Sequence, residues 1–99
     1  NKKVTAFAGI GNPENFFNLL KDHNIDILEE ISFPDHYNYF DKELENLINK
    51  AKENNTILLT TEKDYLRIDD NYKKNINFLK IAVEIENRNQ FIEEIKKVI

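Results

Sequence analysis

The sequence predicts an α/β fold: a three-layer sandwich of about four parallel strands with helices on both faces. Three observations carry this reading. Short β-leaning apolar runs alternate with helix-period runs four times along the 99 residues. Strands alternating with helices imply parallel crossovers, which are right-handed in about 98% of cases. Each of the first three apolar runs also ends in a short polar patch leading into a helix: Gly9-Ile10-Gly11-Asn12-Pro13, Pro34-Asp35-His36 and Thr60-Thr61-Glu62-Lys63-Asp64. In one parallel sheet those patches share the edge where open α/β sheets place ligands.

The first strand is Val4 to Ala8. A helix then starts with Asn12 as N-cap and Pro13 at the first helical position, where a missing N–H costs nothing. Phe16, Phe17, Leu19 and Leu20 make its apolar face, and it ends near His23-Asn24. The second strand, Ile27 to Phe33, sets Glu29, Ile31 and Phe33 against Glu30 and Ser32, a half-polar pattern that suits an edge strand. The second helix is capped by Asp41, carries Leu44, Leu47, Ile48 and Ala51 at i, i+3, i+4 and i+7, and stops at Asn54-Asn55. Thr56 to Thr60 is apolar in its middle and reads as a central strand covered on both faces. Thr61 and Asp64 make a capping-box-like start to a short helix with Tyr65, Leu66 and Ile68. Asp69-Asp70-Asn71 ends that helix. The fourth strand runs from Phe78 to Ile85, and a last helix from about Arg88 turns Phe91, Ile92, Ile95 and Val98 inward.

Composition sets limits. A chain of 99 residues makes one domain, and 1–99 reads as a single α/β unit. Net charge of −4 argues against a nucleic-acid partner, which would call for a basic stripe. Zero cysteines exclude disulfides and thiolate metal sites, and two distant histidines do not build a zinc site. No apolar run approaches the roughly 20 residues that span a bilayer. No Ser/His/Asp set with a nucleophile elbow is visible.

The patches hold the candidate chemistry. Gly9 and Gly11 can adopt positive φ or admit a close neighbour, and the helix after Asn12 offers free N–H groups to an anion. A tight turn without ligand explains the same residues. Asp35 and His36 present a carboxylate and an imidazole on a loop, a pair able to move or orient a proton, though as an isolated pair surface placement without a role explains them as well. His23, at a helix C-terminus, reads as structural. In Thr60 to Asp64, capping accounts for Thr61, Glu62 and Asp64. Lys63 is left over, a cation at the positive end of a helix, available to a phosphate or to a carboxylate across a domain interface. Tyr37, Tyr39 and Phe40 line a pocket or a seam, with packing the default for aromatics.

Taken together, Ala6 to Pro13 with Phe16-Phe17, then Phe33-Pro34-Asp35-His36-Tyr37, then Leu59 to Asp64 with Arg67 resemble the C-terminal part of the tetraacyldisaccharide 4'-kinase family, the lipid A kinases of Gram-negative envelopes. Order and spacing match over nearly the whole chain. The resemblance implies a small Rossmann-like C-terminal domain of a longer P-loop kinase. Such an enzyme transfers the γ-phosphoryl of ATP to the 4'-hydroxyl of a tetraacyldisaccharide 1-phosphate in lipid A biosynthesis. No segment here matches G-x-x-x-x-G-K-[ST], so ATP and Mg²⁺ are expected mainly on an N-terminal domain. The implied partners are that domain and the lipid A disaccharide precursor, at the cytoplasmic face of the inner membrane. The implied catalytic residues are His36, pairing with the catalytic-base aspartate of the kinase domain, and Asp35, holding the imidazole or the loop. Gly9, Gly11, Asn12, Thr60, Thr61, Glu62, Lys63 and Asp64 would line the substrate cleft or lock the domains together. A free-standing α/β module that binds a phosphorylated metabolite or a partner protein is the alternative.

Overall fold

Five apolar or β-leaning residues in succession make Val4–Ala8 a strand suited to cover on both faces, and all five are buried in β1. The computed structural model describes residues 3–80 and 88–98. Within them β2 (Ile27–Ser32), β3 (Ile57–Thr61) and β4 (Asn77–Leu79) join β1 in a sheet of order β2-β1-β3-β4. Every pairing is parallel: Ala6 faces Glu30 on one side and Leu59 on the other, and Thr61 faces Leu79. A register shift between Val4 and Thr5 bends the β1–β2 ladder at its start.

The helices are α1 (Pro13–Asp22), α2 (Asp41–Glu53), α3 (Glu62–Leu66), α4 (Asp70–Lys73) and α5 (Arg88–Val98). Strand alternation sorts the core into two. Val4, Ala6 and Ala8 of β1, with Leu59 and Leu79, pack on Phe16, Phe17 and Leu20 of α1 and Ile95 of α5. Phe7 and Leu58 point the other way, into Leu44, Leu47, Ile48 and Ala51 of α2 with Ile68 and Ile76. Each of the larger side chains adds about 1.5–3 kcal/mol when fully buried. These clusters on opposite faces make the expected three layers.

Helices α1 and α2 stop alike. Asn24 (φ 64°) and Asn55 (φ 54°) take the left-handed conformation after the last turn. The next amides reach back, Ile25 N–H to the Leu20 carbonyl and Thr56 N–H to the Ala51 carbonyl, as in a Schellman motif. Edge strand β2 is tied to both helical layers: Glu29 meets Lys50 of α2 and Glu30 meets Lys21 of α1, each at 2.6 Å.

Four details differ from expectation. Phe40, not Asp41, occupies the N-cap of α2, because the Glu43 carboxylate accepts the Phe40 N–H at 3.0 Å and draws the helix start back one residue. Asp69 does not merely end a helix; its carboxylate accepts the Asn71 N–H at 2.9 Å and starts the extra turn α4. Ile92, expected inward, is 38% exposed, because the inward stripe of α5 is carried by Ile95 and Val98. Strand β4 begins one residue early, at Asn77; its expected continuation over 81–85, like the side chain of Phe91, lies outside the described residues.

Candidate functional site

Because β1, β2 and β3 run parallel, their C-terminal ends deliver all three polar patches to one edge, and there the patches touch. The junction is Asp64, a carboxylate with no solvent exposure. Its Oδ1 accepts from the Gly9 N–H at 3.0 Å, the Tyr39 hydroxyl at 2.8 Å and Arg67 Nη2 at 2.9 Å. Its Oδ2 accepts from the Thr61 hydroxyl at 2.6 Å, while Thr61 Oγ1 in turn takes the Asp64 N–H at 3.2 Å and caps α3. A buried carboxylate is tolerated when paired and hydrogen-bonded, and this one is both. The local sequence explains the direction. Thr61 as N-cap places Asp64 at the third helical position, and one turn later Arg67 falls on the same side.

Arg67 carries the network outward. Its Nη2 also donates to the Gly9 carbonyl at 2.9 Å, and Nη1 contacts His36 Nδ1 at 3.3 Å. The Gly9 carbonyl further accepts the His36 N–H at 3.0 Å, so the second loop is held by the backbone of the first and by the Arg67 side chain from the end of α3. Neither glycine has positive φ. Gly9 is required for another reason: a Cβ there would sit 3.0 Å from the Pro34 carbonyl and the Tyr39 hydroxyl and 3.2 Å from Asp64 Oδ1. Gly11 is exposed, with Asp35 Oδ2 3.6 Å from where a Cβ would be, an ordinary contact.

The loop from Pro34 to Phe40 is held by aromatic packing and one carboxylate. Tyr39 packs edge-on against Phe7 and Phe33, and Tyr37 stacks on Phe33 at 5.0 Å. Glu43 accepts the Tyr37 hydroxyl at 2.7 Å as well as the Phe40 N–H. That bond first, and burial second, raises the Tyr37 hydroxyl above its ordinary pKa. Burial, the Asp64 charge and the bond to Asp64 push Tyr39 higher still. The tyrosines thus pack the loop, while Phe40 stands 66% exposed.

On this frame His36 projects outward. The Tyr37 N–H bonds to the Pro34 carbonyl at 3.1 Å, closing a turn, and His36 sits in it with φ 59°. Among the described residues the other two non-glycine positions with positive φ are the helix-ending asparagines, where such a backbone is routine. Histidine, like asparagine, enters this region more readily than most residues, yet it is costly for any residue with a Cβ, and such strain gathers at functional positions. Its side chain is 81% exposed, and Nε2 lies 3.7 Å from Asp35 Oδ2, longer than a hydrogen bond.

The remaining candidates divide. Thr60 is buried and donates to the Phe7 carbonyl at 2.7 Å, joining β3 to β1. Asn12 occupies the N-cap position of α1 but makes no side-chain cap bond; only its carbonyl engages, accepting the Asn15 N–H at 3.2 Å. Lys63 is exposed and Glu62 half-buried at the start of α3, both without a hydrogen bond or ion pair among the described residues. Thr61 and Asp64 therefore serve the interior of the site, while Asn12, Asp35, His36 and Lys63 face solvent at the same edge. Sequence reasoning undervalued Tyr39 and Arg67, the two side chains that complete the Asp64 cluster. The i, i+3 spacing of Asp64 and Arg67 was the available signal for one of them. Among the described residues no three His, Cys, Asp or Glu side chains gather as metal ligands. Asp35 and His36 lack a third partner, so they do not fit a Mg²⁺ site.

A parallel α/β sheet that brings a strained histidine and a buried carboxylate cluster to its carboxyl edge defines a Rossmann-like domain built to present loops. Its family follows from sequence: residues 1–99 match the family described as "Tetraacyldisaccharide-1-P 4'-kinase" throughout, and the chain belongs to that family. It is 46% identical over 96 residues to a tetraacyldisaccharide 4'-kinase of Rickettsia akari, covering 97% of this chain and 29% of that protein. It is 47% identical over 97 residues to the same-named protein of Rickettsia bellii, covering 98% and 30%. The chain thus spans about 30% of the length of the curated relatives it matches. No solved structure matches it.

Proposed function

We propose that this chain is the C-terminal domain of a lipid A 4'-kinase, which transfers the γ-phosphoryl of ATP to the 4'-hydroxyl of a tetraacyldisaccharide 1-phosphate. One observation carries the reading beyond family membership. His36, the histidine that the resemblance assigns to catalysis, is locked in a left-handed turn at the edge where three loops meet. A left-handed backbone, costly to any residue with a Cβ and kept for an exposed imidazole, suits a side chain with work to do outside its own domain.

Phosphoryl transfer rests mainly on positioning and charge stabilisation. ATP and Mg²⁺ belong, in this reading, to the P-loop domain of the same polypeptide. What this chain supplies is an imidazole held at a fixed point. From there Nε2–H donates to the catalytic-base carboxylate of the other domain and turns it towards the sugar hydroxyl. Asp35 flanks that imidazole. Gly11, Asn12, Glu62 and Lys63 face the cleft between domains, while Gly9, Thr60, Thr61 and Asp64 build the support behind it. Closing one domain on the other excludes water during transfer. The acylated substrate places the full-length enzyme at the cytoplasmic face of the inner membrane; among the described residues no helix is long and apolar enough to cross one.

The test is steady-state kinetics of the full-length protein. His36→Ala and His36→Asn lower kcat by about 10²-fold or more, as loss of an acid–base partner does, and leave KM for ATP within a few-fold. Unchanged turnover in both variants, with the fold intact by circular dichroism, would refute the assignment.

A further inference from the structure

We propose that Arg67 is the positioning residue of this site: it fixes which ring nitrogen of His36 bears the proton and aims the other outward. A guanidinium has five N–H donors and no acceptor, and it stays protonated at any pH a protein meets. The atom facing Arg67 Nη1 at 3.3 Å is His36 Nδ1, which can meet a donor only as the unprotonated nitrogen. The neutral ring therefore carries its proton on Nε2. That nitrogen is the one directed away from Arg67, towards the side of Asp35 Oδ2.

The guanidinium is in no position to turn. Nη2 is pinned between the Gly9 carbonyl and Asp64 Oδ1, both at 2.9 Å. Asp64 is itself pinned by Tyr39, Thr61 and the Gly9 N–H. With one corner of a planar fork fixed, the direction of Nη1 follows. The orientation has a cost that shows on the molecule: Arg67 Nε is buried and has no hydrogen-bond partner among the described residues. Both Nη groups are engaged at the expense of Nε, as expected of a side chain placed for the loop and not for its own satisfaction. His36 is fixed from the backbone side as well, by its N–H on the Gly9 carbonyl and its left-handed turn. Lysine could not substitute, since one ammonium does not span three acceptors in this arrangement.

The tautomer claim stands on the geometry alone; its consequence for turnover rests on the kinase reading above. An imidazole that is to donate from Nε2 to a carboxylate needs the proton there before the carboxylate arrives, and Arg67 supplies that order in advance.

Two measurements test it. ¹⁵N-histidine spectra of the full-length protein read the ring nitrogens, with His36→Asn giving the assignment of the His36 ring. Neutral His36 is expected as the Nε2–H form alone, with an Nδ1–H population appearing in Arg67→Lys. An Nδ1–H ring in the unaltered chain, or a tautomer indifferent to Arg67→Lys, would overturn the proposal. In the full-length protein, Arg67→Lys is expected to lower kcat about tenfold with KM for ATP unchanged. In a His36→Ala background it should lower kcat no further. A similar loss in both backgrounds would mean that Arg67 acts only on the fold, and the proposal would fail. If His36→Ala leaves turnover intact, the kinase role of His36 falls, and the ring spectra alone still decide the tautomer.

Discussion

The Gly9 amide and the Asp64 carboxylate, 55 residues apart in the chain, meet at 3.0 Å where β1 and β3 end side by side. That contact makes the two glycines of the first loop unequal. A methyl group at Gly9 would press on the Pro34 carbonyl and the Tyr39 hydroxyl, both 3.0 Å from its position, and the carbonyl has little freedom to withdraw. At Gly11 a Cβ would meet only Asp35 Oδ2, at an ordinary 3.6 Å, and φ is not positive. Gly9→Ala is therefore expected to destabilise by about 1–3 kcal/mol, the usual penalty of overpacking. Gly11→Ala should be neutral or stabilising by up to about 1 kcal/mol, through a less flexible unfolded chain. Urea midpoints of the two variants check this, and equal shifts would contradict it.

Asp64 supports the site from behind. Truncating it would leave the Arg67 guanidinium without its ion pair and the Gly9 N–H and Tyr39 hydroxyl without their acceptor. Asp64→Ala is expected to cost about 3–5 kcal/mol, as removal of one member of a buried pair does. For a domain this small that is a large share of a total near 5–15 kcal/mol. Denaturant unfolding measures it. A loss below about 1 kcal/mol would show that the cluster contributes little to the fold.

How legible was this in the sequence? Strand and helix periodicity reached the sheet, its parallel sense, the edge position of β2 and the shared location of the three patches. Period-2 and period-3.6 patterns report burial, and burial decides layers. Caps were harder. Asp41 looks like an N-cap by residue type, yet Glu43 takes the Phe40 N–H and moves the helix start, a choice between two carboxylates that propensity does not rank. The interior of the site was less legible still. Asp64 reads as a polar residue at a helix start, and only the tertiary approach of Gly9 and Tyr39 makes it a buried hub. Likewise, residue type alone does not mark His36 as left-handed; the turn closed from Tyr37 to Pro34 and the Gly9 carbonyl on the His36 N–H hold it there.

The backbone of His36 gives a direct check on its strain. At φ 59° an L-residue with a Cβ pays about 1–2 kcal/mol that glycine does not. Glycine's extra freedom in the unfolded chain takes back about 0.5–1 kcal/mol. Comparing His36→Gly with His36→Ala removes the imidazole in both, so its bond to Arg67 cancels. The glycine variant should be the more stable, by up to about 1.5 kcal/mol, the net of those two effects. An alanine variant more stable than the glycine one would show that this position is not left-handed in solution.

Tyr39 ties the site to alkaline stability. Burial, together with the Asp64 charge and hydrogen bond, holds its hydroxyl far above the ordinary value of 10.0. The sign follows from which state loses the proton first. Below pH 10 the hydroxyl is protonated in both folded and unfolded chains, and its contribution to stability is fully present. Above pH 10 the unfolded chain ionises and the folded one does not, so stability falls as pH rises. One proton limits the slope to about 1.4 kcal/mol per pH unit, and the ring's partial exposure lowers it. Tyr39→Phe removes both the bond to Asp64 and this dependence. Its deficit relative to the unaltered chain should thus be largest near neutral pH and shrink steadily from pH 10 to 11.5. Urea titrations across that range, with Tyr37→Phe as a comparison, decide the matter. A Tyr39→Phe deficit that stays constant through pH 11.5 would mean that this hydroxyl ionises as readily in the folded chain as in the unfolded one.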